Sequence, residues 1–411
     1  MSREGTPAER AHLPALDGVR GLAILMVMIF HLWAIQHHNP LDIFVSFGTC
    51  LGWFGVDLFF VLSGYLITGI LLDAKGADHY FRNFYVRRVL RIFPLYYVIL
   101  IASLYVLPHL LPPDKAARFG SVAGDAPYYW LYLSNFVSAR VGAPIHGVLD
   151  VTWSLAIEEQ FYLVWPAVVF FCSRRALVRI AAGLAVASLA TRIGLHYFSS
   201  YNAYSIYVLT PCHLDGLVAG AVLAVWAREP GGLARLRSKA RVAVLTMLPL
   251  VIGIPIAEQL LEPPNPFGQG LGPIFITVGF SLLAVLFGGL LILVVTATPG
   301  STLHRVFTTS FLRTFGKYSY GLYLVHLPIR ALIRDRVLGP TAPGPRFVFP
   351  EIFGSQLPGQ LVFYLLAGGA ALGVAWLSFH LFEKQFLKLK RFFPSGAATP
   401  IAAPAPLPDR A

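Results

Sequence analysis

The sequence predicts an all-α protein that crosses a membrane about ten times, with both termini cytoplasmic. Of its 411 residues, 56% are hydrophobic and only 13% are charged, and its mean hydropathy is +0.66. Apolar runs of about 20 residues, the length that spans a bilayer as a helix, recur along the whole chain. Most of the 32 Lys and Arg residues fall in alternate loops between these runs, which is the positive-inside pattern of cytoplasmic loops.

The apolar runs define ten predicted spans in chain order. We place them at 18–36, 50–73, 92–111, 152–173, 177–198, 211–228, 242–261, 273–298, 314–333 and 359–382. The aromatic stretch 128–136 is too short to span, and we expect an interfacial or re-entrant piece there. The basic segment 81–97 is predicted to lie on the cytoplasmic face and to turn into the third span at Pro94. Segment 330–346 fits the topology least, because it is predicted outside and still carries four Arg residues.

One membrane domain is predicted from 12 to 392, between two segments expected to be disordered: the polar residues 1–11 and a Pro/Ala-rich tail, 393–411. We expect a multi-pass protein of the plasma (inner) membrane. The net charge is +12, and most of the basic residues lie in the predicted cytoplasmic loops. This distribution indicates topology and contact with anionic lipid rather than a nucleic-acid partner. The three cysteines lie far apart without metal-ligand spacing, and no metal site is predicted.

The first span contains two ionisable residues, Arg20 and His31. Eleven residues at about 100° each return almost to the same helix face, about 16 Å further along the axis. We therefore expect both side chains to face one interior channel, Arg20 at the cytoplasmic rim and His31 near mid-bilayer. A lone His in a helix is commonly a satisfied core residue, but ionisable groups are costly in hydrocarbon and usually mark a functional path.

The second span places Asp57 in an apolar environment, where it needs a cationic partner. Arg192 or a His is the expected partner. Ser63 and Gly64 follow about two turns deeper, and such a small pair commonly serves helix packing.

The fourth span begins with Trp153, an expected interface aromatic together with Tyr162 and Trp165. The adjacent Glu158 and Glu159 point about 100° apart on a helix, so only one can face a given site, and the sequence leaves open which. A carboxylate near His31 would fix the tautomer of its ring, which is the usual support for a general base.

Two later segments add polar groups to the predicted bundle. His213 and Asp215 begin the sixth span on the outer side. Tyr318 begins the ninth span on the cytoplasmic side, and His326 lies about two turns deeper. For His326 we keep two interpretations, a functional residue and a satisfied core histidine.

An ordered series of motifs strongly resembles the acyltransferase-3 family of integral membrane O-acyltransferases. The series is LDGVRGLAILMVMIFH, GVDLFFVLSGYLIT, FYVRRVLRIFPLYY, TWSLAIEEQFYLVWP, GKYSYGLYLVHLPI and a closing FEK. The resemblance covers about 12 to 390. One departure is His213, which stands where the family often has Arg, and it leaves open whether that position contacts donor or acceptor.

The resemblance implies an acyl-CoA co-substrate, most often acetyl-CoA, approaching from the cytoplasm, and no tightly bound cofactor. The acceptor would be a hydroxyl of a cell-surface or exported carbohydrate, or of a similar small molecule. His31 would be the catalytic base beside the essential Arg20, with Glu159 holding His31 or the acceptor. The predicted substrate-binding residues are Asp57, Ser63, Arg87, Arg88, Arg91, Trp153, Glu158, His213, Asp215, Tyr318 and His326. The three Arg of the basic segment would hold the phosphates of coenzyme A, which Arg binds with two hydrogen bonds.

A proton-coupled transporter or flippase is the alternative from another class. Buried His, Asp and Glu would suit such a carrier, whereas the lack of an internal repeat disfavours an inverted-repeat transporter. A structural scaffold would not need so many buried ionisable groups. Release of free thiol from acetyl-CoA would distinguish the enzyme from the carrier.

Overall fold

The structure, a computed structural model, describes residues 13–35, 39–110, 123–144, 146–261, 272–336, 349 and 351–394. Within these ranges the chain is helical, and an isolated bridge between Ile352 and Ser355 is the sole β-type pairing. The predicted disordered segment 1–11, and the tail from 395 onward, lie outside the described residues. Phe393 and Pro394 were assigned to that tail, but their carbonyl groups accept hydrogen bonds from the helix that contains Asn83 and Arg87.

Ten helices occupy the places of the ten predicted spans. They are α1 (Pro14–His31), α2 (Gly55–Ala74), α3 (Tyr80–Ile101), α4 (Thr152–Phe171), α5 (Arg174–Phe198), α6 (Leu214–Trp226), α7 (Arg237–Leu261), α8 (Phe280–Val295), α9 (Ser319–Arg336) and α10 (Leu357–Ser378). In the described part of the chain, eight helical segments are long and apolar enough to cross a membrane. The two other helices are α6, which has only 13 residues, and α9, whose last turns are charged. The predicted all-α membrane bundle is confirmed.

The basic segment and the third span form one continuous helix, α3, rather than two separate elements. Pro94 lies inside α3, and the helix continues into a π-helical turn, Ala102–Val106. A proline removes one backbone donor, and transmembrane helices tolerate this when neighbouring groups satisfy the freed carbonyl. The carbonyl that Pro94 leaves without its helical donor is that of Leu90. Next to Pro94, the Tyr320 hydroxyl of α9 donates to the carbonyl of Ile92 at 2.6 Å, which ties the two helices together. The basic side chains of α3 are therefore rigidly connected to its membrane part.

The helices α2 and α6 are in backbone contact at two glycines. A Cβ atom on Gly64 would overlap the carbonyl oxygen of Leu217, and one on Gly220 would overlap that of Val61. Small residues permit such close approach between membrane helices. The interpretation of Gly64 as a helix-packing residue is thus supported. The neighbouring Ser63 lies on a helix whose backbone is fixed by this contact.

The aromatic residues at the start of α4 are not interface residues, contrary to the prediction. Trp153, Tyr162 and Trp165 are 6%, 2% and 2% exposed. The Trp165 indole donates to the Thr68 hydroxyl at 2.8 Å inside the bundle. The stretch 128–136 falls on two short helices, Ala126–Trp130 and Ser134–Val141, as expected for a piece that does not span.

Candidate active site

A cavity of about 370 Å³ lies among α2, α3, α4 and α9. Its wall is formed by apolar and aromatic side chains of α2, by hydroxyl and carboxylate groups of α4, and by the first turns of α9. One end is strongly basic. The cations that line it are Arg20, Arg87, Arg88, Arg91 and Lys390.

The basic end holds its cations in different ways. Arg88 forms an ion pair with Glu159, with 3.0 Å between Nη2 and Oε1, and its guanidinium lies 3.3 Å from the centroid of the Tyr162 ring. Arg20 is paired with Asp17 at 3.3 Å. Arg91 forms no ion pair or hydrogen bond with the described residues, so its guanidinium is available to a ligand. Five cations are only partly neutralised here, which favours an anionic guest such as a phosphate.

A segment after α10 covers part of the basic end. Arg87 Nη1 donates to the carbonyl oxygens of Lys390, at 3.2 Å, and Phe393, at 2.9 Å. Arg87 is therefore turned partly toward the protein's own backbone. This contact could not be predicted from the sequence, because more than 300 residues separate the partners.

Glu158, rather than Glu159, faces the cavity. The Ser63 hydroxyl donates to Glu158 Oε1 at 2.5 Å, and both residues line the cavity together with Tyr162. Further along the wall, the hydroxyls of Ser154 and Tyr323 are 2.5 Å apart, and that of Tyr323 also donates to the Val151 carbonyl at 3.1 Å. A nucleophile-type hydroxyl and a carboxylate thus meet inside the cavity.

His31 lies against His326, not against Glu159. Nδ1 of His31 is 3.0 Å from Nε2 of His326, and Nδ1 of His326 is 3.0 Å from the Leu322 carbonyl oxygen. A carbonyl only accepts, so His326 carries its proton on Nδ1 and its Nε2 accepts from His31. The neutral His31 then has its lone pair on Nε2, the form that can accept a proton from a hydroxyl.

The histidine pair lies behind the cavity wall. The ring of Tyr323, which lines the cavity, is 5.9 Å from the ring of His326, while neither histidine belongs to the lining. The sequence placed Arg20 and His31 in one channel. In the structure, Arg20 lines the cavity, whereas His31 lies outside the lining, on the far side of Tyr323 and His326.

Gln360 of α10 holds the chain immediately after His31. Helix α1 ends at His31, five residues before the predicted end of the span. The Gln360 amide donates to the Leu32 carbonyl at 3.0 Å and accepts from the Ala34 amide at 2.9 Å, and Gln360 is fully buried. Gln360 is not among the predicted site residues, although an amide side chain within a predicted apolar span is a detectable signal.

Asp57, His213 and Asp215 belong to a second buried polar network, around Arg192. Nδ1 of His213 is 3.5 Å from Asp57 Oδ1, which confirms the histidine alternative for the partner of Asp57. Arg192 is instead paired with Asp215 at 2.9 Å and donates to the Thr277 carbonyl at 2.7 Å. The network joins α2, α5, α6 and the π-helical turn before α8.

Two further predicted site residues, Trp153 and Tyr318, also lie outside the cavity lining. Trp153 packs on the rings of Tyr207 and His213, at 4.6 and 5.8 Å between centroids. Tyr318 packs on Phe379 at 5.4 Å. A substrate contact at these positions stays a prediction.

A sequence profile described as an acyltransferase domain matches residues 13–380, nearly the whole described chain. The chain belongs to the acyltransferase-3 family. Its relatives include the peptidoglycan O-acetyltransferase OatA of Listeria monocytogenes, which is 29% identical over 93% of this chain and 57% of that protein. The putative peptidoglycan O-acetyltransferase YrhL of Bacillus subtilis is 32% identical over 78% of this chain and 49% of its own length. The O-acetyltransferase OatA of Staphylococcus aureus is 30% identical, over 79% and 51%.

This member of the acyltransferase-3 family spans about half the length of the curated relatives it matches. No solved structure matches it. The family assignment makes the chain a multi-pass membrane acyltransferase domain, which speaks against the carrier interpretation. The geometry then divides the predicted site into three parts: a basic cavity with Ser63 and Glu158, a histidine pair beyond it, and a separate network around Arg192.

Proposed function

We propose that the protein transfers an acyl group, most simply acetyl, from acyl-CoA to a hydroxyl of a cell-wall carbohydrate. The single observation that carries this proposal is the cavity, whose lining combines five cations with a hydroxyl–carboxylate pair. A phosphate-bearing donor with a flexible thioester arm matches both ends of such a cavity. The relatives' names supply the acetyl group and the peptidoglycan acceptor.

The basic end would face the cytoplasm of the plasma membrane, where acyl-CoA is available. Arg91 and Arg20 would bind the donor phosphates, and Arg88 would do so while paired with Glu159. No tightly bound cofactor is proposed, since the thioester supplies the activated acyl group itself. Enclosure of the arm would keep water from the thioester.

His31 would act as general base on the acceptor hydroxyl. Its Nε2 lone pair is the acceptor left by the His326 contact, and a positioned base typically contributes about 10²–10⁴-fold in rate. The acceptor would approach from the side of the histidine pair opposite the cavity. Substrate contacts of Asp57, Trp153, His213, Asp215 and Tyr318 are not part of this arrangement.

Thiol release provides the test. Purified protein in lipid nanodiscs is incubated with acetyl-CoA and soluble peptidoglycan fragments, and both free thiol and acetylated fragments are measured. We expect fragment-dependent release in wild type, and its loss in His31→Ala and Arg20→Ala with unchanged expression. His380→Ala is the matched control, because His380 lies outside the cavity lining, with its Nδ1 2.9 Å from the Trp376 carbonyl oxygen and its ring 4.6 Å from that of Trp376. Full activity in either of the first two variants would exclude the mechanism, and solute movement without thiol release would favour the carrier.

A further inference from the structure

The hydroxyl of Ser63 is directed at a carboxylate rather than at its own helix. A serine or threonine within a helix commonly donates to the carbonyl four residues earlier. Thr246 does so to Val242 at 2.8 Å, and Ser199, the first residue after α5, does so to Leu195 at 2.6 Å. The Ser63 hydroxyl instead donates across to Glu158 of α4. Hydroxyl and base within hydrogen-bonding distance are the arrangement that activates a nucleophile.

The location of this pair also differs from that of the histidines. Ser63 and Glu158 line the same cavity as the five cations, whereas His31 and His326 do not belong to its lining and lie on the far side of Tyr323. A thioester arm entering the cavity would meet Ser63 first. The backbone here is held firmly, because Gly64 packs directly on the Leu217 carbonyl, and a nucleophile on a rigid helix is well positioned.

We propose that Ser63 accepts the acyl group covalently from the donor, with Glu158 as its base. This inference rests on the proposed function, because it assumes an acyl-CoA donor in the cavity. The Ser63 Oγ forms a bond to the thioester carbonyl carbon, and its proton passes to the Glu158 carboxylate. The carbon–sulfur bond then breaks, and the leaving thiolate takes the proton from Glu158, which yields free coenzyme A and an ester on Ser63.

The second half returns the enzyme to its starting state. The oxygen of an acceptor hydroxyl forms a bond to the ester carbon while its proton passes to His31. The bond from that carbon to Ser63 Oγ breaks, and the serine recovers a proton from His31. No redox partner or further reactant is needed. The relay would let donor and acceptor react in turn, without both occupying one cavity.

Acyl labelling of the whole protein tests this step. Wild-type protein in nanodiscs is mixed with radiolabelled acetyl-CoA in the absence of acceptor, denatured, and digested for mass spectrometry. We expect one acetyl group on the peptide that contains Ser63, and its loss in Ser63→Ala. Glu158→Gln should slow labelling by about 10²-fold, the lower range for loss of a general base. Ser199→Ala is the matched control and should be labelled like wild type.

A second variant guards against a folding defect. Ser63→Cys keeps a nucleophile of similar size and should form a thioester that hydroxylamine cleaves readily. His31→Ala should still be labelled but should no longer pass the acetyl group to peptidoglycan fragments, which places the two residues in separate half-reactions.

The remaining outcomes overturn the proposal in distinguishable ways. If Ser63→Ala acetylates fragments at the wild-type rate, or if the label lies on another residue, the covalent step is excluded and the proposed function stands. The same holds if wild type releases thiol with acceptor present but is never labelled. If wild type neither releases thiol with any fragment nor takes up label, the proposed function itself has failed.

Discussion

Replacing His326 by Ala should reduce acyl transfer by acting on His31. His326 is fully buried, and its Nε2 accepts the hydrogen bond that fixes the proton of His31 on Nδ1. In the variant, the His31 ring loses this acceptor, and among the described residues only the backbone of Val27 still holds it. The ring can then rotate or adopt the tautomer that protonates Nε2, the atom needed as base.

The expected loss follows from that single hydrogen bond. A buried polar group left unsatisfied costs about 1–3 kcal/mol, which corresponds to roughly 5- to 150-fold in rate at about 1.4 kcal/mol per factor of ten. The loss should appear in kcat and not in KM for acetyl-CoA, because neither histidine lines the donor cavity. His326→Gln should recover much of the rate, since its amide oxygen can take the place of Nε2.

A double-mutant cycle makes the reasoning refutable. Activity is measured as acetylated fragment per minute for His31→Ala, His326→Ala and the double variant, with expression and thermal stability as controls. Residues that act as a unit are non-additive, so the double variant should be no slower than His31→Ala alone. Multiplying losses, or a fully active His326→Ala, would show that His326 does not work through His31.

Three other perturbations address the basic end, the chain after α1 and the second network. Arg91→Ala should raise KM for acetyl-CoA about 10-fold or more, because charge-assisted hydrogen bonds contribute about 1.5–3 kcal/mol. Thermal stability should not change, since Arg91 has no hydrogen bond or ion pair within the described residues. An unchanged KM would contradict the assignment of Arg91 to the donor. Gln360→Leu should lower both the unfolding temperature and kcat, since the backbone groups of Leu32 and Ala34 lose their hydrogen-bonding partner. An unchanged kcat would show that Gln360 does not position His31. Arg192→Met should destabilise the protein by about 3–5 kcal/mol, because the charge of Asp215 is then buried without its partner. The double variant Arg192→Met/Asp215→Asn should regain part of that stability in thermal unfolding. Equal stability of wild type and Arg192→Met would refute the pairing argument.

The helices could be predicted from the sequence because hydropathy is a local property. Each of the ten predicted spans coincides with a helix, since a run of about 20 apolar residues reports its own membrane location. Details that depend on neighbouring helices were not predictable in this way. The continuity of α3 through Pro94 depends on its packing, and the end of α1 at His31 depends on Gln360 of α10.

The site could be predicted as a set of residues but not as a set of pairs. Helical geometry showed that Glu158 and Glu159 diverge, yet their partners, Ser63 and Arg88, are set by how α4 lies against α2 and α3. The His31–His326 contact joins positions 295 residues apart, which no local pattern reports. The range of possible partners for Asp57 was narrower, because a buried carboxylate requires a cation or a histidine. The histidine that contacts it is His213.

The side chain of Tyr323, which lies between the cavity and the histidine pair, constrains the order of steps in the proposed reaction. Its hydroxyl is tied to Ser154 and to the Val151 carbonyl at the start of α4, so the inner wall of the cavity is held by the same helix that carries Glu158. If the acyl group reached the histidines while still bound to the donor thiol, the thioester arm would have to displace Tyr323, and water would still have to be kept out of the cavity. Transfer to Ser63 on the cavity side would let the bulky donor leave first, and only the small acyl group would then have to meet the acceptor. In two half-reactions the side chain of Tyr323 has to admit only the acceptor to the ester on Ser63, whereas a direct encounter would require room for donor and acceptor together.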